Sequence, residues 1–408
     1  MWYSGFIQYG SRNPIMDIAP FNFSSPSRCI FGAGRISMLP QIASTFGHQL
    51  LLVTGKSSLR DGQKLAPLLT GFSTHNIKVD QITIPGEPTP EDIDTAVQRY
   101  QHKGVTLVVA VGGGSTLDAG KAIAAMMGHT CSVTDFLEGV GTKAHPGDTL
   151  PFIAVPTTAG TGSEATKNAV ISKSGVNGFK KSLRHDNFIP DVALVDPLLT
   201  ITCPERVTTA CGMDALTQLL EAYVSTQATP ITDALCAEGL KNFGQALEIV
   251  IGKDPENMAA RSRLSYGSYL SGLGLANAGL GTVHGFAGVI GGMCTMSHGN
   301  ICGTLLAETT RHTINALNAQ APDHPALTKY AQAARLLALA APSSNLSLAC
   351  SSLIDGLERW TEKFMMPRLS TAGLITDDIN DISQADCRKN NPVHLPQHAL
   401  QTILRARL

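Results

Sequence analysis

The sequence predicts an α/β domain with a largely parallel sheet over its first half, followed by an all-α second half. Three observations carry this expectation. Short β-branched runs, LLLVTG at 50–55, VTLVVAVGGG at 105–114, FIAVPTT at 152–158 and DVALVD at 191–196, are spaced through the first 200 residues. Helix-length amphipathic segments such as PEDIDTAVQRYQHKG separate some of them, which is the pattern of βα units whose strands are covered on both faces. From Pro204 onward, PERVTTACGMDALTQLLEAYVS, PITDALCAEGLKNFGQALEIVIG and ALTKYAQAARLLALAA all keep helical spacing. At 408 residues the chain exceeds what one core usually supports, so two domains are expected, over 17–200 and 201–408. Residues 1–16 read as a poorly patterned tail ahead of a start at Met16.

The strand at 105–111 runs into Gly112, Gly113 and Gly114 just before a helical segment. Such a turn lets a ligand approach the backbone, and the free N–H groups at the helix start suit a pyrophosphate. Neither standard fingerprint fits. Ser115 stands where a P-loop needs its first glycine and Ala122 where it needs Ser or Thr, while Leu117 takes the third glycine position of GxGxxG; GAGRIS at 32–37 lacks that glycine too. On the residues alone, a tight strand-to-helix turn is the favoured reading.

Lys and Arg number 31 against 32 Asp and Glu, without a like-charged run, which argues against a nucleic-acid or membrane-surface partner. Nine cysteines without a CxxC pair fit a reducing cytoplasmic setting better than a disulfide framework. No uninterrupted apolar stretch reaches bilayer length, and the first residues lack the order of a signal peptide. A small neutral partner is expected.

Four blocks then decide the reading: GGGSTLDAGK at 112–121, PTTAGTGSEAT at 156–166, DPLLTITCPERVTTACGMDAL at 196–216, and the VHG…HG pair within 283–299. Together they resemble the iron-containing (group III) alcohol dehydrogenases of the dehydroquinate synthase-like superfamily, in order and across most of residues 25–310; NNP at 390–392 adds little. The resemblance implies a Rossmann-like, dinucleotide-binding α/β domain, a helical domain, and a cleft between them for a nicotinamide and a divalent metal, in a homodimer or higher homo-oligomer. It implies that Gly113, Gly114 and Ser115 contact the pyrophosphate, that Asp118 lies near the nicotinamide end, and that Thr157, Thr158, Thr161 and Ser163 line the cofactor groove. Lys181, beside Lys180, matches a lysine near the ribose.

By the same resemblance, Asp214, His284 and His298 match three of four metal ligands, with Fe or Zn as the ion; Asp214 and position 218 lie four apart on one helix face. The family has histidine at that fourth position, where this chain has Gln218. Three outcomes stay open: a three-ligand site with an open position, weak coordination through the Gln218 amide oxygen, or a metal-free site. Gly288 replaces a histidine proposed to relay a proton, which leaves the proton route to the cofactor ribose and water. Phe286, Leu275 and Met293 are candidate pocket-lining residues, and Cys294 and Cys302 are expected to pack beside the metal helices.

The expected reaction is hydride transfer between a nicotinamide cofactor and a small alcohol or aldehyde. Where NAD-preferring relatives commonly carry an aspartate after the second strand, this chain has Gly55, followed by Lys56 and Ser57; absence of the carboxylate favours NADP(H) over NAD(H). Two alternatives remain from the sequence: a lyase-like relative in the manner of dehydroquinate synthase, and a non-catalytic descendant that keeps the fold.

Overall fold

A computed structural model describes residues 19–56, 59, 64–173, 178–385 and 387–408. The tail expected over 1–16 and the candidate Ser57 lie outside the described residues. Among the described residues there are eight strands: β1 Arg28–Phe31, β2 Gln49–Gly55, β3 Lys78–Ile84, β4 Leu107–Gly112, β5 Phe152–Pro156, β6 Asn168–Lys173, β7 Phe179–Arg184 and β8 Val192–Val195. Six form one parallel sheet in the order β1-β8-β5-β4-β2-β3, and β6 pairs antiparallel with β7 as a separate ribbon.

The β-branched runs of the sequence are the buried centre of this sheet. Side chains alternate across it. Leu51, Val53, Val108, Ala110, Phe152 and Ala154 pack on one face with helices α3 (Pro90–Tyr100) and α4 (Gly114–Met126). Leu50, Leu52, Leu107, Val109, Val111, Ile153 and Val155 pack on the other with α1 (Leu39–Ala43) and α2 (Leu65–Thr74). The chain leaves β2 outward to β3 and returns to place β4 on the other side of β2. This reversal opens a crevice at the C-terminal ends of β2 and β4, the usual ligand position in such sheets.

After Pro204 the described residues fold only into helices: α5 Glu205–Val224, α6 Pro230–Val250, α7 Met258–Ala278, α8 Thr282–Met293, α9 His298–Gln320, α10 Pro325–Leu336, α11 Leu346–Lys363, α12 Asp378–Gln384 and α13 Gln397–Ala406. Helix α5 is their axis. Every residue from Gly212 to Ser225 is buried, with α6, α7 and α9 packed around it. Each fully buried leucine there contributes roughly 1.5–3 kcal/mol, so the polar groups on this helix are held in place by a rigid apolar frame. Helices α7 and α8 meet at 95° around a glycine-rich break whose Gly279 has φ +66°. Among the described residues no single helix is long and apolar enough to cross a membrane.

Candidate active site

The glycine loop closes the C-terminal edge of the sheet. Thr54 registers with Val111 and Gly112 with Pro156, so Gly55, Gly112 and Thr157 emerge side by side. Thr157 is buried and donates its N–H to the Gly112 carbonyl at 2.9 Å. Gly113 is the extended N-cap of α4 and offers no side-chain cap, which leaves the first-turn N–H groups for an anion. A Cβ on Gly114 would lie 2.5 Å from the Thr161 side chain, and one on Gly113 would lie 3.4 Å from Thr158. These two threonines therefore close over the loop, with Ser115 in the same turn.

Asp118 and Ser163 turn toward each other instead. The Ser163 hydroxyl donates to Asp118 Oδ1 at 2.5 Å, and the Val170 N–H donates to Oδ2 at 3.1 Å, tying α4 to β6. Beneath them the ammonium of Lys121 is buried among five oxygens of Ser163, Thr166 and Asn168.

The two neighbouring lysines at 180 and 181 face opposite ways. Period-two alternation along β7 exposes Lys181 and turns Lys180 inward, where its side chain is 9% exposed and its Nζ lies 2.5 Å from Glu87 Oε1. Lys180 is also charge-coupled to His298, so it is Lys180 that borders the metal candidates.

Those candidates converge from three helices. Asp214 lies on α5, His284 in the first turn of α8 and His298 at the start of α9. His284 Nε2 is 3.3 Å and His298 Nε2 3.9 Å from the same oxygen, Asp214 Oδ1. Glu221, seven residues after Asp214 on α5, accepts the His284 Nδ1 proton at 2.7 Å and the Val283 N–H at 2.6 Å. With Nδ1–H held by Glu221, Nε2 is the ring atom that faces Asp214 and the one available to an ion. Asp214 Oδ1 is thus buried without a hydrogen-bond partner, and His298 Nδ1 is too. A buried, unpaired carboxylate oxygen facing two imidazoles fits a divalent cation.

The charges bear the mark of this packing. Burial opposes a proton on His284, yet the Cys302 sulfur and the Asp214 and Glu221 carboxylates raise its pKa well above the ordinary value. Burial pushes the His298 imidazole down to about 4 and the Cys302 thiol up to about 12. Asp214 is lowered: burial works against its charge, and the two histidines outweigh burial.

Gln218 does not present its oxygen to this centre. Its Oε1 accepts the Ser271 hydroxyl at 2.8 Å, while Nε2 faces the Thr161 carbonyl at 3.3 Å and Asp214 Oδ2 at 3.5 Å. Gly288 lies exposed on α8 beside open space. Of the pocket candidates, Phe286 is fully buried core, Leu275 packs against the helical core, and Met293 is exposed. Cys294 is half-buried, and Cys302 joins the metal cluster itself.

Residues 26–197 match the family described as iron-containing alcohol dehydrogenase, and residues 208–408 match the C-terminal region of the same family. The chain belongs to the iron-containing alcohol dehydrogenases. Long-chain-alcohol dehydrogenase 1 of Geobacillus thermodenitrificans is 36% identical over 295 residues, 71% of this chain and 72% of that protein. A solved 1,3-propanediol oxidoreductase superposes with a TM-score of 0.84 at 28% identity, covering 96% of this chain and 100% of that one. Sulfoacetaldehyde reductase from Bifidobacterium kashiwanohense, solved in complex with NAD+, superposes with a TM-score of 0.82 at 26% identity, covering 95% of this chain and 99% of that one.

This iron-containing alcohol dehydrogenase is therefore an oxidoreductase, and the lyase-like alternative falls away. Glu221 at its centre escaped the sequence reading, Cys302 was expected there only as a residue packed beside the metal helices, and Lys180 only as the neighbour of Lys181. Glu221 carries a signal, since it sits two helical turns after Asp214 on the same face. Cys302 follows His298 by four residues on α9, which is also a same-face spacing. Lys180 needed only the strand register that decides which of two neighbouring lysines points inward.

Proposed function

We propose that this dehydrogenase exchanges hydride between NADP(H), or less efficiently NAD(H), and a small alcohol or aldehyde, with a divalent Fe or Zn ion held by Asp214, His284 and His298. The observation that carries the metal reading is the buried, unpaired Asp214 Oδ1 between two imidazole Nε2 atoms. An ion bound there supplies Lewis acidity toward the substrate oxygen, and a nicotinamide in the adjoining crevice supplies or accepts the hydride.

The chain's own part is positioning. N–H groups of Gly113, Gly114 and Ser115 suit the pyrophosphate, and Thr158 and Thr161 cover it. Glu221 keeps the His284 proton on Nδ1, so that Nε2 stays a ligand. Residues 17–200 then act as the nucleotide-binding domain and 201–408 as the metal and substrate domain. Nine cysteines without a CxxC pair support a cytoplasmic setting, and a homodimer or higher homo-oligomer is the expected assembly.

The cofactor preference rests on Gly55, which ends β2 level with the glycine loop and brings neither the charge nor the bulk of an aspartate against a 2′-phosphate. Lys56, exposed beside it, adds a cation. The test is metal analysis of protein purified without chelator, followed by nicotinamide absorbance assays over an alcohol and aldehyde series with both cofactors. We expect kcat/KM to favour NADP(H) in wild type and NAD(H) in Gly55→Asp. Cofactor binding without turnover across the series would identify a non-catalytic descendant, and a wild-type preference for NAD(H) would overturn the reading of Gly55.

A further inference from the structure

We propose that Cys302 is a fourth protein ligand to the ion, and that the resulting Asp/His/His/Cys set selects zinc over iron. This rests on the reading that Asp214, His284 and His298 hold an ion, and it adds a donor of different chemistry. Residue 302 lies one turn beyond His298 on α9, so its side chain points the same way, and it is fully buried. Its Sγ lies 3.6 Å from His284 Nε2. One donor atom from each of the four residues lies within 4.8 Å of all the others.

Four donors about 2.0–2.3 Å from a common centre at tetrahedral angles stand roughly 3.3–3.8 Å apart. The observed separations are 3.3 Å for Asp214 to His284, 3.9 Å for Asp214 to His298 and 3.6 Å for Cys302 to His284. The competing account is a plain thiol-to-imidazole hydrogen bond between Cys302 and His284. That bond would satisfy the sulfur and leave Asp214 Oδ1 unpaired, whereas a shared cation satisfies both.

Gln218 strengthens the case by stepping aside. Its amide oxygen is engaged by Ser271 and its nitrogen turns toward Asp214, so this side chain offers the centre a donor group that no cation accepts. The fourth donor on the page is sulfur. A thiolate is a soft ligand, and ligand softness and intrinsic affinity order both favour Zn2+ over Fe2+. On ligation the Cys302 thiol passes its proton to solvent, one per ion bound, as the S–metal bond forms.

The experiment strips the full-length protein with chelator and reloads it with cobalt alone, reading bound metal per chain and the near-ultraviolet thiolate-to-cobalt band. Wild type should take one ion with the band. Cys302→Ser and Cys302→Ala, checked for folding by circular dichroism, should lose the band and bind zinc at least about tenfold more weakly in chelator competition. One cobalt per chain without the band would overturn Cys302 ligation and leave the three-ligand reading standing. No bound cobalt would bring down both. In anaerobic competition at equal concentrations Zn2+ should displace Fe2+, and retention of iron would overturn the selectivity.

Discussion

Glu221 shows how much of this site one carboxylate decides. It accepts the His284 Nδ1 proton with one oxygen and the Val283 N–H with the other, so it fixes both the tautomer of the ligand ring and the first turn of the helix that bears it. Glu221→Gln keeps the shape but removes the charge, and an amide satisfies Nδ1–H less strongly than a carboxylate does. Metal affinity should fall about 10- to 100-fold with the fold intact. Chelator competition beside circular dichroism checks this, and unchanged retention would show that Glu221 serves only the helix. The same scale separates the two lysines: adjacent residues on a strand face opposite ways, so Lys180 reaches Glu87 and Lys181 reaches solvent.

Elements matter through where they touch. The loop after β5 meets α7 at two glycines, where a Cβ on Gly272 would lie 2.3 Å from the Gly162 carbonyl oxygen and Gly162 itself has φ +62°. This contact brings the cofactor-side loop, with Thr161 and Ser163 on either side of Gly162, directly onto the helical half. In an exposed helix interior Gly→Ala gains roughly 1 kcal/mol. Gly272→Ala should instead destabilise by about 1–3 kcal/mol, because backbone cannot move aside as a flexible side chain would. It should also raise KM for the cofactor by shifting Thr161 from its seat over Gly114. Denaturant midpoints and cofactor titration test the two effects, and a more stable variant would show that the halves are not tightly seated there.

At the scale of the molecule, the junction between sheet and helices buries ionisable groups that make stability depend on pH. Burial raises the Glu164 carboxyl to about 7, and Lys121 opposes the shift without cancelling it. A folded-state pKa above the unfolded value means that the native state holds its proton longer. This contribution is full below the unfolded value near 4.5 and is lost as pH rises toward about 7. The loss is on the order of 3 kcal/mol. Lys121, lowered by burial to about 8, adds its own dependence only above that window. Thermal midpoints between pH 5 and 7, read as the difference between wild type and Glu164→Gln, should therefore diverge, with wild type losing more as pH rises. Parallel curves would mean that Glu164 is ionised in the native state throughout.

The sequence by itself determined what short-range periodicity and composition can carry. Continuous apolar β-branched runs had to be strands buried on two faces, a glycine triplet between strand and helix had to be a tight turn, and Asp214 and residue 218 had to share a helix face. Ordered blocks of residues were specific enough to point to the family and to three of the four clustered donor residues. What only the tertiary structure decided is how distant faces meet. The direction of the Gln218 amide depends on Ser271, 53 residues away, and the approach of Cys302 to His284 depends on α8 bending by 95° from α7 before α9 packs on α5. Periods of 2 and 3.6 residues say which side of an element a residue lies on. They do not say which other element covers that side, because that is settled by the packing of the whole core.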